Sequence, residues 1–127
     1  MTTTGSEPRQ DNACRARVVL GIVGDKWSLL VVRNLRHGPR RFTELKRDID
    51  GISQRMLTVT LRSLERDGIL TRTVRNVMPP HVSYELTPMG KTLREATAPL
   101  LDWSIAHLTH IDAARAEYDA RAETPPA

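Results

Sequence analysis

Apolar positions along the chain recur at helical spacing through most of its first half, and then the period changes. Ala16–Val23 is a short apolar segment that reads as a helix broken by Gly24 and Asp25. In Lys26–Arg36, Trp27, Leu30, Val31 and Leu35 share one face of a second helix, and Gly38-Pro39 stops it. Phe42, Leu45 and Ile49 line a third helix, with Thr43 a candidate cap and Glu44 in the first turn. The fourth is bounded most sharply. Ser53 is a good N-cap, Gly68 a good C-terminal stop, and Leu57, Leu61 and Leu64 form one stripe between them. Residues 69–77 are rich in β-branched types and read as a strand. Met78-Pro79-Pro80-His81 makes a turn, and Val82, Tyr84 and Leu86 alternate with polar residues in a returning strand. Thr87-Pro88 starts a last helix to about Arg121, which Pro99 is expected to kink or divide.

The expected organisation is a disordered tail at 1–13, a folded domain at 14–98, a helix at 99–121 and a second tail at 122–127. The fold class is mainly α with a small β-hairpin. Helices three and four are joined by a tight turn containing Gly51, and a hairpin follows, which is the layout of a winged helix-turn-helix.

This layout suits the reading of duplex DNA, because an α-helix fills the major groove and meets base edges there. The leading end of the fourth helix carries Ser53, Gln54, Arg55 and Thr58, with Arg62 one turn further on. Glutamine can pair with adenine and arginine with guanine at two points each, and threonine can offer its methyl to thymine or its hydroxyl to phosphate. Arg40 and Arg41 precede helix three, where they could hold the DNA backbone; Arg75, Asn76 and His81 flank the wing tip. The plain alternative is that the polar row of helix four is only a solvated face.

Charge sharpens the picture. The net charge of the 127 residues is +4, but residues 33–81 alone carry 11 Arg and Lys against 5 Asp and Glu. A basic excess concentrated in the middle of the chain fits a polyanionic partner. It also disfavours the competing reading, a winged-helix protein-interaction module without DNA binding. The composition, 39% hydrophobic and 27% charged, is that of a soluble globular protein, without a membrane span or an apolar signal core, and the expected compartment is the cytoplasm. The histidines show no metal-ligand spacing, no phosphate loop or nucleophile motif is present, and neither a cofactor nor an enzymatic activity is expected. The single cysteine, Cys14, cannot form an internal disulfide.

Taken in order, Cys14, GDKWSLLVVRNL at 24–35, GPRRFTELKRDIDGIS at 38–53, LTVTLRSLERDGILTRTV at 57–74, PPHVSYELTPMGKTL at 79–93 and Trp103 resemble the HxlR-type regulators, relatives of the MarR group. The resemblance implies a transcriptional regulator, most often a repressor, that dimerises through its first and last helices. On this chain those helices offer Val18 and Val19, and Leu101, Ile105, Leu108 and Ile111. A symmetric dimer implies a pseudo-palindromic operator. The resemblance also makes Cys14 a candidate sensor thiol for an electrophile or oxidant, with a non-covalent small ligand as the other possible effector. Arg15 and Arg17 beside it would favour the thiolate. The chain departs from the family pattern at Arg15, where proline is frequent. It departs again in the wing, where His81 and Ser83 stand in place of a long basic residue and a glutamate.

Overall fold

In a computed structural model, the described residues are 12 and 14–123. The expected N-terminal tail otherwise lies outside them, and so does the C-terminal tail beyond residue 123. The backbone carbonyl of Asn12 accepts the Ala16 N–H at 2.9 Å, so helical bonding begins inside the segment expected to be a tail. The chain forms two compact units that meet in sequence at Glu95 and Ala96.

In the first unit, α1 spans Arg17–Gly24, α2 Ser28–Asn34, α3 Phe42–Asp48 and α4 Gln54–Arg66. The strands are β1 at Arg40–Arg41, β2 at Leu70–Arg75 and β3 at His81–Leu86, and α5 begins at Pro88. The sheet order is β1-β3-β2, antiparallel throughout. The sheet is therefore three-stranded rather than the expected hairpin. Two arginines in succession carry no periodicity, and only their register with Tyr84 and Ser83 makes Arg40 and Arg41 a strand.

Local chemistry sets the helix boundaries. The Asp25 carboxylate accepts the Trp27 N–H at 3.1 Å, the Ser28 N–H at 2.8 Å and the Ser28 hydroxyl at 2.7 Å. These bonds satisfy amides that the first turn of α2 leaves without helical partners. Thr43 is not the cap of α3. It lies inside the helix, Arg41 is the N-cap, and the Glu44 carboxylate reaches back to accept the Arg41 N–H at 2.8 Å. Ser53 caps α4 as expected, its hydroxyl oxygen accepting the Met56 N–H at 3.0 Å. Thr87 caps α5 in the same way, accepting the Gly90 N–H at 3.0 Å.

One apolar core joins these elements. Val31, Val32 and Leu35 meet Leu45, Ile49 and Ile52, and then Leu57, Leu61 and Leu64, with Ile69, Leu70, Tyr84 and Leu86 from the sheet side. The stripe expected on α4 is buried throughout, and each such leucine stabilises the fold by about 1.5–3 kcal/mol. On α2 the inner face is broader than expected, since Leu29 and Val32 are buried while Leu30 is only half-buried. β2 has only Leu70 buried, so the far end of the hairpin stands away from the core. With α3, a short turn, α4 and this hairpin in succession, the unit is a winged helix-turn-helix.

In the second unit α5 continues without interruption to Glu123, with Pro99 inside it, so Pro99 does not divide the helix. Trp103 stacks on His107, one helical turn further on, with ring centroids 4.5 Å apart. Ile105 and Leu108 are 63% and 57% exposed, and Leu101 and Ile111 are half-buried.

Candidate nucleic-acid interface

The turn between α3 and α4 holds the site in place. Ile49 and Ile52 are buried on either side of it, and Gly51 between them sits at φ +84°, in the left-handed region that glycine enters without strain. The capping bond at Ser53 fixes where α4 begins. The buried stripe Leu57, Leu61 and Leu64, with Thr60, then fixes its rotation. What faces outward follows. Ser53, Gln54, Arg55 and Arg62 are exposed, and Thr58 is half-buried. The Thr58 hydroxyl donates to the Gln54 carbonyl at 2.9 Å, so its proton is committed within the helix and its methyl is the group left to offer.

The cations expected to meet a polyanion divide into two groups. Among the described residues, Arg41, Arg55, Arg62 and Arg75 have no carboxylate within salt-bridge distance. Arg40 differs. Its guanidinium pairs with Asp48 and lies 3.9 Å from Glu44, which ties β1 onto α3 and offsets its charge. The Asp48 carboxyl is held below its usual range, first by the hydrogen bond from Arg47 and then by the charges of Arg47 and Arg40. In the wing, Arg75 and His81 are directly opposed as the last pair of the β2–β3 ladder. Arg75 is exposed and His81 half-buried, with a buried Nδ1 that has no partner among the described residues. Beyond them Val77 and Met78 stand exposed at the tip.

The expected site residues therefore fall at three places: the outward row of α4, the β1–α3 junction and the end of the wing. Glu65 and Tyr84 escaped the sequence reading of the site, while Arg72, like Arg75, reads from sequence as a strand-surface charge with phosphate binding as the alternative. Arg72 Nε lies 3.6 Å from Glu65 Oε1, and Arg72 opposes Tyr84 across the sheet. Tyr84 reads in sequence as an ordinary inward strand residue, and only the register shows the arginine beside it. Cys14 is exposed with a free thiol, and α1 buries none of its residues, Val18 being 68% exposed.

Among the described residues no helix is long and apolar enough to cross a membrane. Known proteins share this arrangement. The HTH-type transcriptional regulator YtfH of Escherichia coli K12, itself uncharacterized, is 43% identical over 104 residues, spanning 82% of this chain and 82% of that protein. The solved structure of ytfH from Salmonella typhimurium superposes with a TM-score of 0.72 at 41% identity, covering 79% of this chain and 89% of that one. The redox regulator HypR in its oxidized form gives a TM-score of 0.68 at 38% identity, covering 73% of this chain and 96% of the other. Residues 22–112 match the HxlR-like helix-turn-helix family. The chain thus belongs to the HxlR-like family of helix-turn-helix transcriptional regulators, which are not enzymes.

Proposed function

We propose that the chain binds double-stranded DNA in a sequence-specific way, as a homodimer on a pseudo-palindromic operator, and represses a neighbouring promoter until an effector acts on it. The observation that carries this reading is the outward row of α4. Gln54, Arg55, Thr58 and Arg62 follow a capped, solvent-facing helix start, and neither arginine has a carboxylate partner among the described residues. An uncompensated arginine at that end can take guanine O6 and N7 together, and glutamine can do the same with adenine N6 and N7. Arg41, Arg75 and His81 then serve the phosphates that position the helix, with Arg40 secondary because Asp48 already holds it.

The dimer is supported by the apolar groups left uncovered on α1 and α5. Val18 and Val19 are exposed in the first unit and Ile105 and Leu108 in the second, and large apolar groups left open on a helix favour association. A two-fold dimer would set two copies of α4 about 34 Å apart, one turn of duplex.

Cys14 is the proposed sensor thiol. Its exposure lets a reagent reach it, and the similar protein HypR is a redox regulator. With a quinone the thiolate adds to a ring carbon, the S–C bond forming as the conjugated C=C π bond breaks, and the proton lost by the thiol is returned to the adduct through water. With diamide, two Cys14 thiols give up two electrons and two protons and join as an intermolecular disulfide, the diamide being reduced to its hydrazine.

The test is to recover the genomic fragments that the purified chain retains at physiological salt. Enrichment of one inverted-repeat sequence is expected. Retention of random fragments alone, or of none at low salt, would overturn the reading in favour of a protein-interaction module.

A further inference from the structure

A cleft of about 220 Å³ lies between the outward row of α4 and the root of the wing. Thr58, Arg62 and Glu65 wall it from the helix, Arg72 and Tyr84 from the sheet, with Leu61 at its base. The strand register builds it. Arg72 and Tyr84 are a directly opposed pair, so their side chains leave the sheet on the same face, the one that also carries the buried Leu70 and Leu86. Toward Leu70 that face is covered on both strands; one pair further out Tyr84 is still buried, at 8% exposure, while Arg72 is open. Thr58 and Arg62 continue the row that begins at Gln54. The cleft is therefore the place where the recognition row meets the wing.

Its chemistry is lopsided. Two guanidinium groups from two different elements face one carboxylate. Arg72 is engaged by Glu65 at 3.6 Å, in a pair whose side chains are 47% and 41% exposed. A pair so open to water is weak and readily exchanged. Arg62 has no carboxylate within reach among the described residues. Burial holds the Tyr84 hydroxyl above its ordinary range, against the pull of Arg72 and Arg62, so it is a neutral donor at physiological pH. Two cations and a hydroxyl donor around one exchangeable carboxylate form a site short of an anion.

We propose that this cleft is a phosphate seat: one backbone phosphate of the bound duplex lies between Arg62 and Arg72, accepts from both and from the Tyr84 hydroxyl, and displaces Glu65 from Arg72. The assignment rests on the reading that the α4 row faces DNA. It adds a shared anchor, since one phosphate held by both helix and sheet would fix how α4 sits in the groove.

The experiment is fluorescence anisotropy of the full chain on its recovered operator and on random duplex, across a salt series. Arg72→Gln is expected to weaken both complexes alike and to lower the salt slope by about 1. Tyr84→Phe keeps the buried ring, and so the fold, and is expected to weaken both about 3- to 10-fold. Glu65→Gln removes the competitor and should tighten both. Operators carrying a single methylphosphonate should include one position that weakens the wild type and has no further effect on Arg72→Gln. Wild-type affinity and slope in all three variants, with Arg55→Ala still weakened, would overturn the seat while leaving the DNA reading intact. No effect of Arg55→Ala either would overturn both. In a separate arm, inorganic phosphate is titrated into DNA-free protein under NMR. Shifts abolished by Arg72→Gln, with an unchanged DNA salt slope, would make the cleft a site for free anions and overturn the duplex assignment.

Discussion

Gly90, in the first turns of α5, lies so close to Ile69 that a Cβ built on it would fall 2.0 Å from the Ile69 carbonyl oxygen. The same carbonyl accepts the Thr87 N–H at 3.0 Å, so the helix start and the strand start are locked together. A methyl group has no room there unless the backbone moves. Gly90→Ala is expected to destabilise the first unit by about 1–3 kcal/mol, the usual cost of overpacking, measured by urea unfolding. Wild-type stability would show that α5 can lift from β2 without cost.

The second expectation concerns Asp25. Its carboxylate holds three donors at the start of α2, and Asp25→Ala should cost about 1 kcal/mol. Burial raises the pKa of this carboxyl, but the bonds from Ser28 and Trp27 outweigh that and leave it lowered. A lowered folded pKa means that its contribution is complete above the unfolded value, near 3.9, and is lost as pH falls through the folded one. The stability gap between wild type and Asp25→Asn should therefore narrow in acid, below about pH 4. A gap that stays constant with pH would exclude the carboxylate as its source.

Arg55 and Arg75 are expected to behave differently. Arg55→Ala should weaken operator binding by about 1–3 kcal/mol and relax the preference for one base. Arg75→Ala should weaken operator and random DNA alike and lower the salt slope by about 1. Competition binding with single-base operator variants separates the two behaviours, and equal loss on all sequences for Arg55→Ala would make it a phosphate contact.

For Cys14, diamide or a quinone should change the operator affinity of the wild type and leave Cys14→Ser unaffected. Titration of both proteins in a gel-shift assay reads this directly. The same response in both would remove the thiol from the switch.

A charge on the uncovered stripe of α5 should break the proposed dimer. Ile105→Glu or Leu108→Glu is expected to give a monomer in sedimentation equilibrium with unchanged circular dichroism. A variant that remains a dimer would place the subunit contact elsewhere.

Most of this architecture was legible where periodicity and capping agree. The α4 stripe, the cap at Ser53, the stop at Gly68 and the start at Thr87 all lie where the sequence put them, because each depends on residues within a few positions. Strand β1 was not legible, because two arginines become a strand only by pairing with Tyr84 and Ser83, some forty residues away in the chain. The cap of α3 was misplaced on Thr43, since its hydroxyl is a common cap and nothing local reveals that Glu44 bonds the Arg41 amide instead. Among the candidate contacts, Arg55 and Arg62 could be placed from helix spacing alone. The engagement of Arg40 by Asp48 depends on how β1 lies against α3, and spacing does not encode it.

Strand β2 has one last consequence. It lies at the edge of the sheet, bonded to β3 on one side only, and five of its six residues are exposed. A long open rim of backbone amides and carbonyls is a template on which another polypeptide can stack, and it is a common origin of insolubility. Arg72 and Arg75 are exposed along that strand, and positive charge on an edge would oppose the approach of a second copy. Replacing both with neutral residues would therefore do more than weaken a grip on polyanions: it would leave the protein prone to precipitate through its own wing.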